Sequence, residues 1–129
     1  MTRRLLELAV RLARYGAVLS LTVTVIGVLL PGAALPRDLP PDTLLHAAGF
    51  GVPALLAAFA ARSGRSLLNA GVAIALVATA SEFAQAFVPD RIVSVHDLAS
   101  NAVGIAIGCG IGWLAQMALF GLISAARRG

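Results

Sequence analysis

Four long apolar stretches, separated by short polar segments, make up most of the chain. They predict helices at about residues 14–33, 44–61, 67–88 and 97–122. A helix rises 1.5 Å per residue, so about 20 largely apolar residues cross the hydrocarbon core of a bilayer. The stretches reach or approach that length. The pattern therefore predicts an all-α, integral membrane four-helix bundle that forms a single transmembrane domain over residues 1–129.

Composition supports this prediction and excludes two classes of protein. Hydrophobic residues make up 59% of the chain and charged residues 12%, whereas a soluble domain has roughly 25% charged residues. An ordinary cytosolic enzyme and a disordered tail are both excluded. The net charge of +4 does not indicate nucleic acid as a partner, because the arginines lie at the edges of the apolar stretches and aromatic residues are few.

The first stretch has two interpretations. Basic residues before an apolar run, followed by small residues at 32–34, imitate a cleaved secretory signal. Leu5, Leu8 and Leu12 share one helical face, however, and extend the helical pattern well before residue 14. We favour a retained helix on that ground, with the cleaved signal as the alternative.

Arginine placement predicts how the bundle is oriented. Eight of the ten basic residues flank one side of the predicted spans, and only Arg37 and Arg91 lie on the other. The positive-inside rule then places both termini in the cytoplasm and the loops 31–43 and 89–94 outside. We expect a multi-pass membrane protein. Short connections at 62–66 and 89–91 force antiparallel neighbours, hence an up-down order.

Three glycines at four-residue spacing mark the fourth stretch. Gly104, Gly108 and Gly112 form one smooth stripe on a helix, which lets another backbone approach closely. We assign them to helix packing. The sequence leaves open whether the partner lies in the same chain or in a second copy, so a homo-oligomer is a further prediction to test.

Glu82 is the residue that a bilayer should reject most strongly. It lies about 9 Å inside the predicted end of the third span, at 1.5 Å per residue, where a carboxylate costs about 2.5–3.5 kcal/mol on insertion scales. Such a group must face protein or a wet cavity. Gln85 follows three residues later and shares its face.

The other polar residues of the spans gather at the same level of the bilayer. Asp42 and His46 begin the second helix, Asp97 and Asn101 begin the fourth, and Arg91 lies in the turn between the third and fourth. They predict an outward-facing polar pocket, and no comparable pocket is expected in the other half. We assign Glu82, His46 and Asp97 to catalysis, and we assign ligand binding to Asp42, Gln85, Arg91 and Asn101.

Each of these residues also has a structural explanation. Asp42 and Asp97 could cap helices, the latter through Ser94-x-x-Asp97. His46 and Arg91 could be interfacial side chains that contact headgroups. Gln85 and Asn101 could join helices by hydrogen bonds.

The order and spacing of these residues resemble the VanZ-like family of small bacterial membrane proteins. The resemblance rests on Asp42-x-x-x-His46, Ser81-Glu82-x-x-Gln85, Pro89-x-Arg91 and Asp97-x-x-x-Asn101-x-x-Gly104-x-x-x-Gly108. The family commonly has a lysine where this chain has Thr43, so any anion-binding role of that lysine is either lost in this chain or falls to Arg91. The resemblance implies a multi-pass protein of the bacterial inner membrane and cell envelope, and the family's namesake is associated with resistance to the antibiotic teicoplanin.

Three functions are consistent with these residues. The first is binding of a headgroup, a lipid-linked cell-wall intermediate or a glycopeptide antibiotic in the outward pocket. The second is a membrane enzyme acting on a lipid-linked envelope substrate, with Glu82 and His46 as acid and base. The third is a purely structural bundle. A divalent metal on Asp42, His46, Glu82 and Asp97 is chemically conceivable. Their spacing matches no dedicated metal motif, however, so we predict no cofactor and no metal site.

Overall fold

The computed structural model of the protein describes residues 2–36 and 38–126. Over these residues it contains four α-helices and no β-strand: α1 Thr2–Val28, α2 Asp42–Phe59, α3 Gly64–Ala84 and α4 Val95–Ala126. Short 3₁₀ turns cover Gly32–Ala34 and Gln85–Phe87. All four helices are long and apolar enough to cross a membrane. The predicted all-α fold with four membrane-spanning helices is confirmed.

The first helix differs from its predicted bounds at both ends. It includes the segment before residue 14 that contains Leu5, Leu8 and Leu12, and it ends at Val28 rather than at residue 33. Pro31 explains the early end, because proline has no N–H to continue the helix and disfavours helical geometry in the residue before it. The following helices α2, α3 and α4 begin within a few residues of their predicted starts.

Helices α2 and α4 run parallel and touch along the glycine stripe. A Cβ atom added to any of the three stripe glycines would overlap a backbone carbonyl oxygen of α2. The contacts advance in the same direction along both helices: Gly104 lies against Ala47, Gly108 against Gly51 and Gly112 against Leu55. Glycine alone allows so close an approach, and the partner of the stripe lies within the same chain.

The remaining helices run antiparallel to this central pair. The Thr24 hydroxyl of α1 donates to the Gly49 carbonyl of α2 over 2.9 Å, near the end of one helix and the start of the other. On the other side, Glu82 at the end of α3 meets Ser94, which immediately precedes α4. The turn between α3 and α4 contains Asp90 at φ 60°, a conformation that aspartate tolerates better than most residues. The predicted up-down order is confirmed.

Alanines and a few large apolar residues fill the interior, while most of the large apolar side chains cover the outside. The buried apolar cluster consists of Phe50, Ala54, Ile74, Ala78 and Ile105. Leucines and valines on the outer faces are more than half exposed, which suits contact with lipid chains rather than water. The polar side chains that lie inside the bundle are therefore the informative ones.

Candidate functional site

His46 and Asn101 meet at the interface between α2 and α4. Both residues lie about one turn into their helices, and because those helices are parallel and closely packed, the two side chains reach the same level. The Nδ1 atom of His46 and the Oδ1 atom of Asn101 are 3.1 Å apart. An amide oxygen only accepts, so this hydrogen bond requires a proton on Nδ1. Asn101 thus fixes the orientation of the imidazole ring.

Glu82 reaches the same place from α3 and also caps α4. Its Oε1 atom accepts a hydrogen bond of 2.7 Å from the Ser94 backbone N–H. Ser94 in turn accepts, through its hydroxyl, the N–H of Asp97 over 3.2 Å. The Ser94-x-x-Asp97 pattern predicts a reciprocal bond from the Ser94 N–H to Asp97, but Glu82 occupies that position. The carboxylate of Asp97 is therefore not the acceptor for this N–H.

We refer to His46, Glu82, Asp97 and Asn101 as the polar cluster. Their exposed fractions are 3%, 0%, 8% and 3%, so the cluster lies inside the bundle. The Oε2 atom of Glu82 is 3.8 Å from Nδ1 of His46. Two buried atoms in the cluster have no hydrogen-bond partner among the described residues: Oε2 of Glu82 and Nδ2 of Asn101. Unpartnered buried polar atoms are costly and rare, so each calls for an explanation.

The cluster has the composition of a metal site as well as of an acid–base site. One ring nitrogen of His46 and one oxygen each from Glu82 and Asp97 lie within 4.8 Å of one another. Imidazole and carboxylate groups bind divalent metals, and the same groups transfer protons in many active sites. The structure thus brings together the three residues that the sequence analysis assigned to catalysis.

Asp42 and Arg91 form an ion pair beside the cluster. The Nη1 atom of Arg91 is 3.1 Å from Oδ2 of Asp42, and the Nε–H of Arg91 donates to the Leu30 carbonyl over 3.2 Å. Asp42 is the first residue of α2, and Pro41 occupies the N-cap position, so the capping explanation of Asp42 is wrong. The ion pair connects the α3–α4 turn to the start of α2 and to the segment after α1.

A groove of about 230 Å³ leads from this ion pair to the polar cluster. Its polar lining includes His46 together with Asp42 and Arg91. The rest of its wall is mostly apolar and belongs to α1, the following segment and α2. The complete lining is Thr24, Gly27, Val28, Leu35, Leu39, Asp42, Leu45, His46, Gly49 and Arg91. We refer to this cavity as the groove.

Gln85 is buried but bonded elsewhere. Its Nε2 atom donates to the Val28 carbonyl at the end of α1 over 2.9 Å. That contact satisfies a carbonyl that α1 leaves without an intrahelical partner, and it joins α3 to α1. The described contacts thus give Gln85 the helix-joining role that the sequence analysis raised beside ligand binding.

The expectation that the other end of the bundle has no comparable pocket is wrong. A cavity of about 880 Å³ lies there, lined by three arginines, Arg11, Arg14 and Arg62, together with Glu7, Gln116 and apolar residues. Gln116 is buried, and its Nε2 atom donates to the Ala61 carbonyl. A glutamine within the fourth apolar stretch is the sequence signal for this residue.

Two further residues that hold the site together were not assigned to it from the sequence. Ser94 links Glu82 to Asp97 through its N–H and hydroxyl, and Thr24 lines the groove and bonds α2. Thr24 is a polar residue in an apolar stretch, which is a weak signal, because threonine often bonds only its own helix.

Comparison with known proteins identifies a family for this fold and site. The family model described as VanZ/LLP1 matches residues 43–116, more than half of the chain. The match includes His46, Glu82, Asp97 and Asn101, and it confirms the resemblance inferred from their spacing. No curated protein and no solved structure matches the chain.

Proposed function

The chain belongs to the VanZ/LLP1 family, and from that premise we propose that it is a bacterial envelope protein that binds a membrane lipid in the groove. Four apolar helices and the family together make it a multi-pass membrane protein. Arginine asymmetry supports an inner-membrane orientation with cytoplasmic termini. In that orientation the groove opens toward the outer leaflet, where envelope lipids and lipid-linked cell-wall intermediates are present.

The amphipathic lining of the groove is the observation that carries this proposal. Val28, Leu35 and Leu39 supply an apolar wall, whereas the Asp42–Arg91 pair and His46 supply charge and hydrogen-bonding groups. An amphiphile has the same division into chain and head. A ligand pocket with mostly apolar walls and a few placed polar groups is the usual form of a small-molecule site.

The charges at the groove favour a polar, sugar-like or mixed head over a strongly anionic one. Arg91 is already paired with Asp42, and the cluster beyond it contributes two more carboxylates. An anionic head would meet repulsion from these carboxylates. Hydroxyl and amide groups would instead bond to Asp42, Arg91 and the imidazole of His46.

Lipid retained through purification tests the proposal, with a groove-filling variant as the probe. Gly27 lines the groove, and a Cβ atom there would meet nothing within 4 Å. Gly27→Leu should therefore fill the groove without disturbing the helix, whereas Gly110→Leu adds the same side chain to open space on α4. We expect mass spectrometry to find a retained lipid in the wild type and in Gly110→Leu, and at least tenfold less in Gly27→Leu.

The same experiment distinguishes other occupants. A lipid-linked cell-wall intermediate would be identified by its mass, and a glycopeptide antibiotic such as teicoplanin would displace the retained lipid if it occupied the groove. Retention that is equal in wild type and Gly27→Leu would contradict binding in the groove.

One observation favours a second function, an enzyme acting on the bound lipid. The unpartnered Oε2 of Glu82 is 3.8 Å from His46, and His46 lines the groove. Glu82 and His46 would then move a proton at a substrate held there. An enzyme would convert added lipid to a product of different mass, and Glu82→Gln would retain the lipid unchanged. If the wild-type protein leaves the added lipid unchanged, the enzyme proposal is contradicted and binding remains the proposed function.

A further inference from the structure

We infer that His46, Glu82 and Asp97 form a binding site for a divalent transition-metal ion, with zinc and manganese as the best matches. One nitrogen and two oxygens from these residues lie within 4.8 Å of one another, and all three residues are buried. They come from α2, α3 and α4, so a bound ion would join three helices. This inference does not depend on lipid binding in the groove.

Charge gives the first argument for a cation. Two buried carboxylates so close together repel each other, and buried charges are stable only when they are paired or bind a metal. Among the described residues, the arginine at this end of the bundle is Arg91, and it pairs with Asp42 and not with the cluster. A doubly charged cation would balance Glu82 and Asp97 with no net charge left inside the bundle.

The unpartnered oxygen of Glu82 gives a second and independent argument. Oε1 is satisfied by the Ser94 N–H, whereas Oε2 is fully buried and has no hydrogen-bond donor among the described residues. Leaving such an oxygen without a partner costs more than a hydrogen bond gains. It lies beside the imidazole ring of His46, 3.8 Å from Nδ1, and Glu82 is one of the three residues that offer a ligand atom, so coordination would satisfy it.

The donor types select the class of ion. Imidazole suits zinc, iron, nickel and copper, and carboxylates suit manganese, whereas magnesium and calcium are bound by oxygen ligands alone. One imidazole with two carboxylates therefore suits zinc or manganese. Three protein ligands also leave a coordination position open, as in zinc sites that bind a substrate or water.

Hydrogen bonds with neighbouring residues orient two of the three proposed ligands, His46 and Glu82, as is usual for metal sites. Metal-binding histidines usually donate their second ring N–H to an oxygen, which fixes the ring and its tautomer. Asn101 Oδ1 provides that oxygen for His46 Nδ1, so the other ring nitrogen, Nε2, would be the one to coordinate the ion. Ser94 holds Glu82 in the same way through its N–H. Asn101 is therefore a positioning residue in this inference.

Zinc titration of the purified, chelator-treated protein tests the inference. We expect the full chain in detergent to bind one equivalent of zinc, measured by elemental analysis and calorimetry, and to bind magnesium far more weakly. Glu82→Gln and Asp97→Asn should each weaken zinc binding at least tenfold. Asn101→Ala should weaken it by about 10–100-fold, the usual cost of removing a group that orients a ligand.

His96→Ala is the matched control, because His96 is exposed and immediately precedes Asp97 on α4. It should bind zinc as the wild type does. A wild type that binds no zinc or manganese would overturn the inference. So would unchanged binding in Glu82→Gln and Asp97→Asn, or a loss in His96→Ala equal to that in the cluster variants.

X-ray absorption at the zinc edge of the wild type gives an answer even if the variants do not fold. The inference predicts nitrogen and oxygen ligands at about 2.0–2.2 Å with the scattering of a single imidazole. A sulfur ligand from Cys109, or two or more imidazoles, would contradict it. Gly27→Leu should lose lipid but bind zinc normally, which separates failure of the metal site from failure of lipid binding.

Discussion

The two carboxylate oxygens of Glu82 have different surroundings, and that difference explains why a charged residue lies inside this bundle. Oε1 accepts the Ser94 N–H at the start of α4, where the helix dipole also favours negative charge. Oε2 has no donor among the residues that the structure describes, and it lies 3.8 Å from Nδ1 of His46. One oxygen thus has a structural role, and the other is available for a ligand.

Substitution of Glu82 should separate these two roles. Glu82→Ala leaves the partly buried Ser94 N–H without its acceptor, which should lower the free energy of unfolding by about 1–3 kcal/mol. Glu82→Gln keeps an oxygen for Ser94 and should cost less than half as much. Denaturant unfolding in detergent measures both values. Equal losses in the two variants would show that the bond to Ser94 contributes little.

At the scale of helices, the seam between α2 and α4 determines the geometry of the site. The three stripe glycines let the two backbones touch, and this contact sets the distance between His46 on α2 and Asn101 on α4. A single methyl group that separated α2 from α4 would break the 3.1 Å hydrogen bond between these side chains. Packing and the polar cluster are therefore coupled.

Gly108→Ala should destabilise the bundle because the new methyl group would overlap the Gly51 carbonyl oxygen. Overpacking of this kind costs about 1–3 kcal/mol. Gly110→Ala is the matched control on the same helix, since its Cβ would meet nothing within 4 Å, and it should leave stability unchanged or raise it. Thermal unfolding of both variants measures the difference, and similar midpoints would contradict close packing at this seam.

At the scale of the whole molecule, the two ends of the bundle differ in charge. The end with the polar cluster has three aspartates outside the cluster. Its one described arginine, Arg91, is paired with Asp42. The other end has a larger cavity lined by Arg11, Arg14 and Arg62. Positive charge on one side is the signal that orients membrane proteins.

Cysteine labelling tests the orientation that this asymmetry predicts. In a Cys109→Ala background, Ile92→Cys places a thiol in the α3–α4 loop, and Gly64→Cys places one at the start of α3; both positions are exposed. A membrane-impermeant maleimide added to intact cells should label Ile92→Cys only. Labelling of Gly64→Cys alone would reverse the orientation and place the groove on the cytoplasmic side.

The sequence was sufficient to predict the helices and the members of the polar cluster, for a physical reason. Apolar length predicts a span, and a carboxylate such as Glu82 within a span must face inward, where His46, Asp97 and Asn101 begin their own helices. The pattern did not show that Gln85 bonds α1, or that Glu82 takes the place of Asp97 at Ser94. Those contacts depend on how each helix is rotated about its axis, which is determined by packing between helices.

Photo-crosslinking in native membranes tests the central claim, a specific lipid in the groove, most directly. A photoreactive amino acid in place of Leu35 would lie in the groove, whereas one in place of Leu114 would lie on an outer face that is 66% exposed. The account predicts that one lipid class is strongly enriched in the crosslinks at Leu35 and that crosslinks at Leu114 match the bulk membrane. The same bulk mixture at both positions would contradict it.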